Sequence, residues 1–323
     1  MIAPKRPQLW RPLKRQVLTI IAGFQCQDGI VVCADTQETV GSAKRNVPKL
    51  EFYKGPVCSS QDSNKLVNHD LALVICGAGD GPFVDKIASR AWDAVREVSD
   101  AWEASDAVES MIKETYKEFG EIYQTGACPQ AELIYGITIG GHRRLFHAVG
   151  PVVNERSYAS SGIGYYLADF LTARMRGDAW LTVRQSIILA AYILFQAKEH
   201  VEGCGGESHI AVLRDEESSG RVDFHLINHL TAYLKSADHY TGEMLLTAAD
   251  FSISDSEFSQ RITDSTEMLK FIRDREIKEL GDDREFSRHL FAPLINILNE
   301  REDDLGLPIK AKPSTPETSE DQR

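Results

Sequence analysis

Residues 19–41 read TIIAGFQCQDGIVVCADTQETVG. Two apolar runs, around Ile20–Phe24 and Ile30–Ala34, flank Gln27-Asp28-Gly29. An Asp-Gly pair between two such runs is a hairpin signal, because both residues tolerate the positive φ that a tight turn needs. Ile and Val favour extended backbone. The stretch therefore predicts two strands, antiparallel and adjacent.

Working outward, VPKLEFY (47–53) predicts a short third strand and LALVICGAG (71–79) a buried fourth. After Gly81-Pro82, the residues Phe83, Ile87, Ala91 and Val95 recur at helical spacing. Ala107, Met111, Ile112, Tyr116 and Phe119 give a second helix. ELIYGITIG and RRLFHAVG, joined through Gly140-Gly141, predict further strands. Gly162 and Gly164 open a third helix, YYLADFLTARM, and VRQSIILAAYILFQAKEH is a fourth, very apolar one. HIAVLRD and RVDFHLI predict a closing hairpin across the polar turn 216–220. Strand runs that alternate with helix pairs predict sheets stacked between helical layers.

Beyond residue 230 the composition changes. FSQRITDSTEMLKFIRDREIKEL predicts a charged helix, and REFSRHLFAPLINILNE a second one interrupted by Pro293. The residues from about 300 are charged and then rich in Pro, Ser, Thr and Glu, the composition of a disordered tail. Residues 1–18 hold Pro4, Pro7 and Pro12, which break any amphipathic helix. Their basic residues precede no apolar run, so no secretory signal is expected. The resulting division is an arm or propeptide (1–18), a main domain (19–230), a helical extension (231–299) and a tail (300–323).

The 323 residues carry a net charge of −12, which argues against non-specific nucleic-acid binding. Apolar residues make up 42%, ample for a core, yet no run has the length of a bilayer-spanning helix. The six cysteines are scattered without a CxxC pair. They read as buried thiols in a reducing compartment, and no His/Cys spacing suits zinc. A soluble, cytoplasmic protein without metal or membrane partner is expected.

Thr19, Ala34-Asp35-Thr36, Thr39 and Gly41 share one ungapped frame, and Lys49-Leu50 fits it with two residues deleted. In that frame the stretch resembles the start of a mature proteasome β-type subunit, or a bacterial proteasome homologue, of the N-terminal-nucleophile hydrolases. CGAGD (76–80) and GCGGESHIAVL (203–213) extend the resemblance over roughly residues 18–227. It implies an α+β fold, a four-layer αββα sandwich, to which the C-terminal helices are an addition. It also implies threonine-type peptide hydrolysis through an acyl-enzyme on Thr19, with Asp35 and Lys49 in support and no cofactor.

The chemistry is coherent. A threonine hydroxyl needs a base, and a free α-amino group, with an ordinary pKa near ~8, is one on the same residue. Lys49 adds positive charge beside the hydroxyl, and Asp35 fixes Lys49. Thr19 Oγ1 and Lys49 Nζ are expected within roughly 3–4 Å. The resemblance places a backbone oxyanion donor near Gly77, in a turn over 77–79. Its Gly-Ser-Gly becomes Gly162-Ile163-Gly164, so the helper hydroxyl falls to Ser160 or Ser161 with a shift. Its late Asp and Ser align near Val201 and Cys204, with Glu202 as a stand-in.

The base must be free, so residues 1–18 are expected to be absent from the active species. Two routes reach Thr19 as first residue: self-cleavage at Leu18, or translation that begins at the Leu18 codon. Expected partners are a peptide or unfolded protein substrate, further copies of this chain in a ring, and an unfoldase. Two other functions remain: an inactive structural subunit of such a ring, and an amidase for a small molecule.

Overall fold

The Asp28-Gly29 turn closes a two-stranded ladder between β1 (Ile20–Gln25) and β2 (Ile30–Asp35), with Ile21 opposite Ala34 and Gln25 opposite Ile30. Asp28 also accepts a hydrogen bond from Val183 N, the first residue of a helix, at 2.7 Å. The computed structural model describes residues 18–40, 43–56, 70–98, 100–123, 128–177, 179–214, 219–274 and 288–291.

The remaining elements follow in chain order. They are β3 (Gln37–Val40), β4 (Ala43–Asn46), β5 (Leu50–Pro56), β6 (Asp70–Gly79), α1 (Gly81–Val95), α2 (Ala101–Ile122), β7 (Ala131–Ile139), β8 (His142–Val149), β9 (Val152–Glu155), β10 (Tyr158–Gly162), α3 (Tyr165–Arg176), α4 (Val183–His200), β11 (Ser208–Leu213), β12 (Gly220–Val222), α5 (Phe224–Ala249), α6 (Asp255–Ile272) and β13 (Leu290–Phe291). One sheet runs β10-β1-β2-β11-β12-β13 and a second runs β5-β6-β7-β8-β9, while β3 and β4 form a separate hairpin. All ladders are antiparallel. The chain is thus α+β.

Strand alternation sends side chains to two faces. Ile21, Val32 and Ala34 of the first sheet share a core with Val74, Cys76 and Ile134 of the second. The opposite face of the first sheet, through Ala22, Cys33 and Ile210, packs with Ile187, Ala191 and Leu194 of α4 and Ala168 and Leu171 of α3. α1 rests on β6, and α2 rests on β7.

Three expectations need correction. RVDFHLI is not one strand. β12 ends at Val222, and Asp223 caps α5 by accepting a hydrogen bond from His225 N at 2.9 Å. The alternation of Val222, Phe224 and Leu226 imitates a strand, but Leu226, Ile227 and Leu230 are a buried helical stripe. α5 then runs straight through residue 230, so no break in secondary structure marks that position. Within the helix expected at 284–300, Leu290–Phe291 instead pairs with β12 as a strand. The 77–79 turn is the third: Gly77 and Ala78 lie within β6. The helix expected at 258–280 is α6, described to Ile272. The arm at 1–17, the rest of 284–300 and the tail at 300–323 lie outside the described residues.

Candidate functional site

Thr19 enters β1, Asp35 ends β2 and Lys49 precedes β5, so three segments of chain deliver one residue each. Thr19 Oγ1 donates to Asp35 Oδ1. Lys49 Nζ reaches Thr19 Oγ1 at 2.5 Å, Asp35 Oδ1 at 2.8 Å and the Gln37 carbonyl at 2.5 Å. An ammonium has three protons, and here each has an acceptor. Asp35 is fully buried, and Ile20 N (3.2 Å) and Gly205 N (3.0 Å) also donate to it. A buried carboxylate with one ammonium and several donors is the arrangement that keeps a charge tolerable away from water.

Burial pushes the Lys49 ammonium below the ordinary lysine range, against the pull of Asp35. Cys204 lies in the same electrostatic neighbourhood. Burial pushes its thiol up to about 12, with Asp35 adding to the effect. It is therefore a neutral wall of the site rather than a thiolate.

Thr19 is held by its backbone. Its carbonyl accepts from Gly164 N at 3.3 Å. Gly162 has φ +85°, and a Cβ there would stand 2.3 Å from that carbonyl oxygen. Only glycine both adopts this φ and leaves room for the chain. Leu18 packs over Gly203, where a Cβ would meet Leu18 Cδ2 at 2.7 Å.

The auxiliary residues do not join this cluster. The Gly77 N–H is already donated to the Lys49 carbonyl at 3.2 Å, so it is not free to serve as an oxyanion donor. Ser161 sits opposite Ile21 and donates to Glu132 of β7, while Ser160 donates to Asp169 of α3 at 2.5 Å. Glu202 is exposed in the turn after α4. The loop that leads to β11 contributes instead through Gly205 and Cys204, and it is tied to Thr36 after β2, whose hydroxyl accepts from Glu207 N at 2.6 Å.

Lys198 was not singled out from the sequence. It lies in the last turn of α4 and donates to Ser208 Oγ at 2.7 Å, in the electrostatic reach of Asp35. A signal existed: Ile187, Ala191, Leu194 and Lys198 recur at helical spacing, and the first three are buried. A lysine that continues an apolar stripe is a lysine carried into the fold.

Among solved structures, the chain is similar in fold to the Anbu proteins. It superposes on Anbu (ancestral beta-subunit) from Yersinia bercovieri with a TM-score of 0.50 at 16% identity, covering 61% of this chain and 82% of that one. Anbu from Hyphomicrobium sp. strain MC1 gives 0.52 at 15% identity over 70% and 97%. The helical assembly of the Anbu complex from Pseudomonas aeruginosa gives 0.55 at 15% identity over 74% and 99%. No family model and no curated protein matches the chain. Identity this low shows the fold alone. The expected assignment to a proteasome β-type subunit or bacterial proteasome homologue is corrected by these neighbours, which are Anbu (ancestral beta-subunit) proteins, distinct from the proteasome β-subunits proper. Among the described residues, no helix is long and apolar enough to cross a membrane, and no His, Cys, Asp and Glu group is arranged for a metal.

Proposed function

We propose that this chain is a threonine-type peptidase of the N-terminal-nucleophile kind, an αββα sandwich to which α5 beyond residue 230 and α6 add a helical extension and to which Leu290–Phe291 returns as an edge strand. The observation that carries the reading is the Thr19–Lys49–Asp35 contact, in which one ammonium serves both the hydroxyl and the carboxylate. The Anbu-like fold supports it. With Thr19 as first residue, its amine takes the hydroxyl proton while Oγ1 bonds to the scissile carbonyl carbon. The Lys49 ammonium stabilises the oxygen as charge develops. Collapse breaks the C–N bond, the leaving amine takes the proton, and an ester on Thr19 remains. Water, deprotonated by the same amine, releases the acid.

The Anbu complex from Pseudomonas aeruginosa forms a helical assembly, and we extend self-association to this chain on that likeness. An enclosed cytoplasmic chamber that receives unfolded peptide, with or without an unfoldase, is the setting this chemistry suits. A second reading, an inactive structural subunit, draws on Ile163 in place of a helper serine and on the commitment of the Gly77 N–H to Lys49. Hydrolysis of fluorogenic peptides by protein that begins at Thr19, lost in Thr19→Ala, supports the peptidase. No hydrolysis of any peptide by a correctly folded, Thr-first protein refutes it.

A further inference from the structure

Asp35 holds Lys49 through Oδ1 and Gly205 N through Oδ2, and a second lysine, Lys198, lies within its electrostatic reach. Ser208 and Asp35 are partners across the β2–β11 ladder. Directly opposed residues of an antiparallel pair project to one face. α4 packs on these two strands. From it, Lys198 Nζ reaches Ser208 Oγ at 2.7 Å. Burial lowers the Lys198 ammonium to about 8, against the opposing pulls of Asp35 and Glu207. A leucine one turn beyond Leu194 would fill that place without the desolvation cost of a charge. The lysine is therefore unexplained by packing alone.

We propose that Lys198 is a positioning residue of the Thr19 site: held by Ser208 near Asp35, its positive charge shares that carboxylate with Lys49 and makes Lys49 a stronger proton donor to Thr19 Oγ1. The inference rests on the reading of Thr19 as nucleophile. Two cations near one carboxylate repel one another, and that repulsion offsets part of what each gains from the carboxylate. A more acidic ammonium gives a stronger hydrogen bond to a developing alkoxide. The other charged or titratable groups are accounted for. Lys49 faces Asp35, Cys204 and Glu38. Lys198 faces Asp35 of β2 and Glu207 before β11, and it lowers the proton affinity of His209 on β11, as Arg221 of β12 also does.

The test is a proton affinity in the full chain. With lysines labelled at Cε and Nζ, NMR follows the titration of Lys49, assigned by its loss in Lys49→Arg. Removal of a neighbouring cation favours the ammonium, so in Lys198→Met the Lys49 midpoint is expected to rise by roughly 0.5–1 pH unit, and in Lys198→Arg to stay near wild type. Lys198→Gln replaces the Met variant if that one does not fold. A Lys49 midpoint within about 0.2 unit of wild type, in a folded Lys198→Met or Lys198→Gln chain, overturns the inference. A folded protein with Thr19 as its first residue that shows the shift but hydrolyses no peptide sinks the peptidase reading and leaves the coupling standing. A peptidase without the shift sinks only the role of Lys198.

Discussion

Lys49 Nζ lies 2.5 Å from Thr19 Oγ1, and the same nitrogen is 2.8 Å from Asp35 Oδ1. One ammonium thus ties a hydroxyl at the start of β1 to a carboxylate at the end of β2. It does so from the segment before β5, so the cluster exists only when three separate parts of the chain are in place.

The pair is an energetic liability when broken. Lys49→Met leaves the buried Asp35 carboxylate without the cation in contact with it, which is expected to cost about 3 kcal/mol in urea unfolding at pH 7. Asp35→Asn added to Lys49→Met is expected to recover part of that loss, because the uncompensated charge is then gone. Equal stabilities for the single and double variants would show that Asp35 is not charged in the fold.

Gly162 is expected to tolerate no side chain. Gly162→Ala combines a φ of +85° with a Cβ at 2.3 Å from the Thr19 carbonyl. It is expected to destabilise by about 1–3 kcal/mol. On the peptidase reading, activity is expected to fall further, on the order of a hundredfold, because displacing a nucleophile costs alignment as well as stability. Thermal unfolding and kcat/KM for one fluorogenic peptide check both parts.

The β1–β2 hairpin, strands β5 to β8 and β11, and the first four helices were legible in the sequence, since Ile20–Phe24 and Ile30–Ala34 flank a turn whose residues admit only a few conformations, whereas the short strands β3, β4, β9 and β10 were not. α5 was not, because Val222, Phe224 and Leu226 alternate like a strand until Asp223 caps the helix. Of the six residues singled out, Thr19, Asp35 and Lys49 meet. Ser161 and Glu202 do not, since their placement depended on shifts that local pattern cannot fix, and Gly77 touches Lys49 only through a backbone hydrogen bond. The place of Lys198 on the apolar stripe of α4 was legible, but its partner Ser208 was not, because it is brought to Lys198 by the packing of α4 on β11, which spacing along the chain does not encode.

The half-buried Lys198 gives a pH signature in stability. Its folded-state value, about 8, lies below the ordinary 10.5, so between those values the unfolded chain binds more protons and stability rises with pH. Below pH 8 the full cost of the charge is present; above about 10.5 it is absent. Lys198→Met is expected to stabilise the fold at pH 7, by at most about 3 kcal/mol, with the gain fading as pH rises through that window. Urea unfolding at several pH values measures it, and a gain independent of pH would assign the effect to packing.

The central claim, that Thr19 is the nucleophile, is tested most directly by trapping its ester. Protein whose first residue is Thr19 is treated with a peptide β-lactone, an electrophile that acylates an activated hydroxyl, and analysed by intact mass and fragmentation. The account predicts one acyl group per chain, located on Thr19 and absent from Thr19→Ala. No adduct on the folded Thr-first protein, or the same adduct on Thr19→Ala, would contradict it.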